Sequence, residues 1–160
     1  MEANKLLEEW LFRIRRAQQG HYESATHFAR LNYWLGVPAI ALSALVGTSV
    51  FAALGKETAI SIKISVGAAS MTAAILMALQ TFLNYPERAE KHRAAATRYG
   101  TIRRDIETKL AFPPPKRELE VFVETLQTQW NKCNEDCPTV PKRIWHRTKA
   151  DMRMNVRRPA

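Results

Sequence analysis

Two runs of this chain carry no charged residue. The first is Leu31 to Gly55 and the second is Ile64 to Tyr85. A helix crosses the hydrocarbon core of a bilayer with about 20 apolar residues, so each run is long enough to span. Residues 56–63 between them are too few for a domain and predict a turn. The pattern therefore predicts a transmembrane hairpin with spans at 31–55 and 64–85. The competing arrangement, a hairpin buried inside a soluble bundle, needs protein on all sides of both helices. The remaining sequence is too polar to supply it. A cleaved leader is not expected, because about thirty residues precede the first run and no cleavage pattern follows it.

The flanks are patterned as helices. In 1–30, Leu7, Trp10, Leu11, Ile14, Ala17, Ala25, Phe28 and Ala29 recur at helical spacing and form one stripe. The pattern continues to Gly36 without a break, so this helix is expected to enter the first span. After the second span, Pro86 and Glu87 suit a helix start. His92, Ala95, Ala96, Tyr99, Ile102, Ile106 and Leu110 then mark a second stripe over 87–111. Both flanking helices leave the membrane on one side, so the stripes can zip into a stalk. Pro113-Pro114-Pro115 ends that helix. A third helix is expected from Arg117 to about Asn131, then an extended turn at Cys137–Pro141 and a basic tail from Lys142 with Ile144, Trp145, Met152 and Met154 interspersed. Residues 112–160 are a helical extension with a basic tail. The fold class is an all-α membrane protein: a two-helix hairpin with flanking helices forming a stalk, assembled as an oligomer.

Charge adds orientation. The turn offers Lys56 and Lys63, whereas Lys5, Arg13, Arg15, Arg16 and Arg30 precede the first span and Arg88, Lys91, Arg93 and Arg98 follow the second. Basic residues favour the cytoplasmic side, which places both termini there. Tyr33, Trp34 and Tyr85 fall at the expected interface. The net charge of +9 is thereby explained beside a membrane, and without a nucleic-acid motif no direct nucleic-acid binding is expected.

Catalytic chemistry is scarce. There is no glycine-rich phosphate loop and no nucleophile with an evident base, so no enzyme, cofactor or metal is expected. Cys133 and Cys137 have three residues between them, unlike the two of a zinc knuckle, and no histidine pair completes a site. Both thiols are expected to be reduced in the cytoplasm. His21 and His92 lie on the two stalk stripes. They read as a polar layer, with a proton-sensitive pair or a catalytic role as the sharper alternatives.

The spans are unusually rich in small and polar residues. Asn32, Gly36, Ser43 and Gly47 share one face of the first. Gly67, Ser70, Ala74, Met77, Thr81 and Asn84 share one face of the second, with Val66, Leu76 and Leu83 opposite. Such faces permit close backbone approach. Either they close the hairpin on itself, or they pack between subunits and partly line a pore. Gly36 and Pro38 form the one backbone lesion near the membrane. They mark a helix restart or a hinge between stalk and pore.

Several blocks resemble the SLATT family of bacterial two-transmembrane effectors. They are Leu6-Leu7-Glu8-Glu9-Trp10 with Arg13-Ile14-Arg15-Arg16-Ala17, then Tyr33-Trp34-Leu35-Gly36-Val37-Pro38-Ala39-Ile40 and Gly47-Thr48-Ser49-Val50-Phe51, and finally Leu79-Gln80-Thr81-Phe82-Leu83 leading to Glu87-Arg88-Ala89-Glu90-Lys91-His92-Arg93 and Tyr99. The resemblance covers roughly 5–111 and extends through the Pro-rich turn to Trp145, so 1–111 is assigned as a SLATT-like domain. It implies a pore-forming effector of antiphage defence acting by abortive infection at the bacterial inner membrane. It also implies a separately encoded sensor: a nucleotide-signalling synthetase, a nucleotide sensor or a reverse transcriptase. It carries no catalytic residue. No sensing domain is expected within the extension, so activation comes from a partner, a ligand at the stalk or assembly itself. A non-conducting anchor that recruits a cytosolic partner through the stalk is the alternative function. A membrane enzyme using His21 or His92 is disfavoured.

Overall fold

The computed structural model describes residues 2–53 and 59–156, with side chains described for residues 4–53 and 59–150. Five helices follow in order: α1 (Glu2–Ala53), α2 (Ile60–Leu83), α3 (Tyr85–Ala111), α4 (Lys116–Asp136) and α5 (Lys142–Val156). The described residues contain no strand. They divide into two compact units. One comprises 1–26 and 88–160, and the other 27–87.

The first unit is a helical bundle. α1 buries Leu7, Ile14, His21 and Ser24, positions separated by whole heptads or half-heptads, as an antiparallel seam requires. α3 answers with His92, Ala95, Ala96, Tyr99, Ile102 and Ile106. Leu119, Leu126 and Cys133 of α4, seven residues apart, complete the core cluster. Trp10 meets Trp130 edge to face with ring centroids 5.5 Å apart, a geometry that favours aromatic pairs by about 1 kcal/mol beyond their area. Gly20 is buried beneath Val140 and Trp145. A side-chain carbon there would lie 3.4 Å from Val140 and 3.8 Å from Trp145, ordinary contact distances that an alanine would fill. The buried hydroxyls are satisfied locally: Ser24 donates to the Gly20 carbonyl at 2.7 Å, and Thr148 to Ile144 and Trp145 at 3.2 and 3.1 Å.

The second unit is the hairpin of α1 and α2. Phe28 stacks on Tyr85 at 6.0 Å. Trp34, Phe51 and Phe82 are 78%, 77% and 85% exposed. Large apolar side chains exposed in such number on two helices suit lipid, not water.

Several boundaries differ from the sequence reading. The predicted turn at 56–63 is shorter, because α2 begins at Ile60 and takes in Lys63; residues 54–58 lie outside the described set. A lysine stem near a helix end can lie along apolar surface while its ammonium reaches polar groups, so Lys63 need not end the helix. α2 stops at Leu83, earlier than Tyr85. Asn84 caps it in the left-handed region with φ 43°, its N–H bonding the Gln80 carbonyl at 3.2 Å. Asparagine tolerates that conformation better than most residues. Tyr85 therefore opens α3 instead of closing a span. The third predicted helix extends to Asp136, where the Cys137 N–H bonds the Cys133 carbonyl at 3.0 Å. The basic tail is a helix, α5, whose first turn closes from the Trp145 N–H to the Pro141 carbonyl. Ile144 and Thr148 on it are buried; the side chains of Met152 and Met154 lie outside the described residues.

Candidate functional site

In the hairpin, the buried and half-buried positions of α2 are Val66, Ala69, Ala73, Leu76, Gln80 and Leu83. Their spacing alternates between three and four, the seam of an antiparallel pair. This is the face on which Val66, Leu76 and Leu83 were expected to point away. The positions one residue on, Gly67, Ser70, Ala74, Met77, Thr81 and Asn84, are all exposed. One residue is a rotation of about 100° on a helix, so the small-residue face lies beside the seam and is not consumed by it. Nothing stands within 4 Å of a carbon added at Gly67 or Gly47. The Gly67–Asn84 face of α2 therefore does not close the hairpin; Ala69 and Ala73 of the seam do.

On α1 the predicted face is divided. Ser43 is exposed, its hydroxyl donating to the Ala39 carbonyl at 2.8 Å. Asn32 and Gly36 face α2. There the Gln80 amide donates to Asn32 Oδ1 at 3.1 Å, and a carbon on Gly36 would lie 3.0 Å from Gln80 Nε2. Gly36 thus makes room for an amide clamp between the helices. The reading of Gly36 and Pro38 as a restart is overturned, since α1 remains helical through Pro38. Asn84 belongs to the α2 cap and not to a span face; its side-chain amide donates to Glu87. Gln80 was missed as a site residue. Its signal was available, because it is an amide inside the charge-free run, at the same end of the hairpin as Asn32.

We expect Gly36→Leu to evict Gln80 from Asn32 and loosen the hairpin, whereas Gly36→Ala needs only a small shift at the end of a flexible side chain. An interhelical hydrogen bond in a membrane contributes about 1 kcal/mol. Cysteine cross-linking between α1 and α2 should fall sharply for the leucine variant and stay near the parent for alanine.

In the bundle, α1 and α3 bring His21 and His92 together. Their Nδ1 atoms are 3.0 Å apart, so one ring donates and the other accepts. His21 also stacks on Tyr99 at 5.3 Å. The Tyr99 hydroxyl donates to Asn134 Oδ1 of α4 at 2.7 Å, and Cys133 and Cys137 lie beneath with sulfurs 3.3 Å apart. Burial, then the neighbouring imidazole, pulls His21 down to about 4; burial lowers His92 as well. Burial raises the Tyr99 phenol, and burial with the Cys137 contact lifts Cys133 to about 12. At neutral pH the layer is uncharged and the Cys133 thiol is a poor nucleophile. The two cysteines supply two sulfurs, and among the described residues no group of three or more His, Cys, Asp or Glu could hold a metal.

The sign of the pH effect follows. The unfolded His21 takes a proton near 6.5, while the folded one resists it until about 4. In that window the unfolded state binds more protons, so stability falls as pH drops. Thermal unfolding followed by circular dichroism should show the loss beginning near 6.5 and levelling near 4. His92→Gln, which removes one titrating ring, should flatten the slope.

A family model described as SMODS and SLOG-associating 2TM effector domain family 4 matches residues 4–110. No curated protein and no solved structure matches the chain. The match takes in α1, α2 and nearly all of α3, and its two-transmembrane description agrees with the two helices that are long and apolar enough to cross a membrane. The chain therefore belongs to the SMODS and SLOG-associating 2TM effector domain family 4.

Proposed function

We propose that this protein is a pore-forming effector of a bacterial antiphage system. In this reading several copies assemble in the inner membrane with both termini cytoplasmic. On activation they breach the membrane, so that an infected cell dies before the phage matures. The action is physical, not enzymatic. One observation carries the reading. The hairpin packs through the Val66–Leu83 seam and leaves Gly67, Ser70, Ala74, Met77 and Thr81 exposed on an adjoining face.

Two helices enclose no lumen, so conduction requires a ring of hairpins, and closed rings favour cyclic symmetry. Small residues on an unused face suit close contact between copies. A family named for association with SMODS and SLOG proteins supports activation by a separately encoded partner: a nucleotide-signalling synthetase, a nucleotide sensor or a reverse transcriptase.

The test is dye release from liposomes holding the purified protein, with and without the product of its neighbouring gene. Release that follows protein concentration more steeply than linearly is the expected result. Full insertion with no release under either condition overturns conduction and favours a membrane anchor.

A further inference from the structure

The bundle contains a cavity of about 660 Å³ that neither the hairpin nor the histidine layer explains. It is lined from α1, α4, α5 and the turn between α4 and α5, and His21 and Tyr99 form part of its wall. Drug-sized and cofactor-sized ligands occupy cavities of roughly 300–1,000 Å³.

The lining has a definite chemistry. Arg13, Arg16 and Lys142 contribute three cations, and among the described residues no Asp or Glu lines the cavity. In a chain with 15 acidic residues, a cavity with three bases and no acid favours an anion. The aromatic lining includes Trp130 and Trp145. Arg16 lies 3.8 Å over the Trp145 ring, which holds the indole and the guanidinium as one unit. Asn134 gives its Oδ1 to Tyr99, and its amide nitrogen remains a donor type suited to a ring acceptor. Cations beside aromatic faces are the combination that binds a phosphate joined to a planar base.

We propose that this cavity binds a small nucleotide, with its phosphates at Arg13, Arg16 and Lys142 and its base against the indoles. The family match ends at residue 110, so Trp130, Asn134, Lys142 and Trp145 come from the extension beyond it. The site does not rest on the pore reading, because binding is measured without conduction.

The test uses the full chain in phosphatidylcholine nanodiscs, with tryptophan fluorescence as the readout. ATP, inorganic triphosphate, adenosine and a short single-stranded oligonucleotide are the probes. ATP should quench saturably, and triphosphate and adenosine should each bind at least about tenfold more weakly. Arg13 and Lys142 are exposed, so Arg13→Glu and Lys142→Glu spare the core; each should weaken ATP by about tenfold or more. Arg143→Glu, on α5 but outside the lining, should change little. The proposal is overturned by unsaturable quenching, by equal affinity for triphosphate and ATP, or by an equal effect of Arg143→Glu. An oligonucleotide that binds more tightly than ATP also overturns it.

Discussion

Ser70→Leu and Gly67→Leu are expected to abolish dye release while leaving the protein inserted in the membrane. Both positions are exposed in the hairpin, and nothing lies within 4 Å of a carbon placed at Gly67. Both positions lie off the seam, so a leucine at either should leave the pairing of α1 with α2 largely intact. Leucine also favours insertion. Any loss of release must then arise between copies or inside a lumen. Two comparisons sharpen the result. Ala73→Leu strikes the seam, where Ala73 is 3% exposed, and should split α1 from α2. Leu45→Met, on an exposed apolar position of α1, should be nearly silent. If Ser70→Leu and Gly67→Leu leak like the parent, this face lines no pore.

Leu126→Ala should be the most damaging conservative change in the extension. Leu126 is 1% exposed and sits midway along the α4 contribution to the core, between Leu119 and Cys133. Truncating a buried leucine costs about 2–5 kcal/mol, depending on how far the cavity collapses. Few of the other contacts of α4 would compensate. Arg98 reaches Asp136 at 3.4 Å, but both side chains are about half exposed, and such a pair contributes little. The expected outcome is fast hydrogen exchange and early proteolysis across α4 and α5, with α1 and α3 still protected. Val121→Ala on the exposed side of α4 should lie within about 0.5 kcal/mol of the parent. Equal protection of α4 in Leu126→Ala and parent would show that the extension is held by something other than this core.

The stalk helices and both spans were legible from sequence because charge and period mark them independently. Leu7, Ile14, Ile102 and Ile106 follow a helical stripe and are buried. The Asn84 cap was not legible. Asparagine at the end of an apolar run fits a span face as well as a left-handed cap, and only the backbone decides. The α2 seam was misread for a deeper reason. In water an apolar stripe announces the inside, but lipid is as apolar as leucine. Val66, Leu76 and Leu83 therefore look the same whether they touch α1 or hydrocarbon. The pairing of Asn32 with Gln80 carried the missing information, since two amides in a membrane seek each other. The cavity in the bundle escaped because its walls come from segments far apart in sequence, and no local spacing unites Arg13 with Trp130 and Lys142.

The position of Lys63 inside α2 has a consequence for the choice of membrane. From Ile64 to the end of the helix at Leu83 no charge intervenes, a stretch of about 30 Å at 1.5 Å per residue. That leaves little slack against an average bilayer. Mismatch costs fractions of a kcal/mol for each ångström, and every copy in an assembly incurs it together. Acyl-chain length should therefore act as a dial. Lipids with longer tails should favour local thinning, crowded hairpins and a snorkelling Lys63, and shorter tails should be met by tilting. The same chain would thus behave differently in cells that remodel their lipids with temperature.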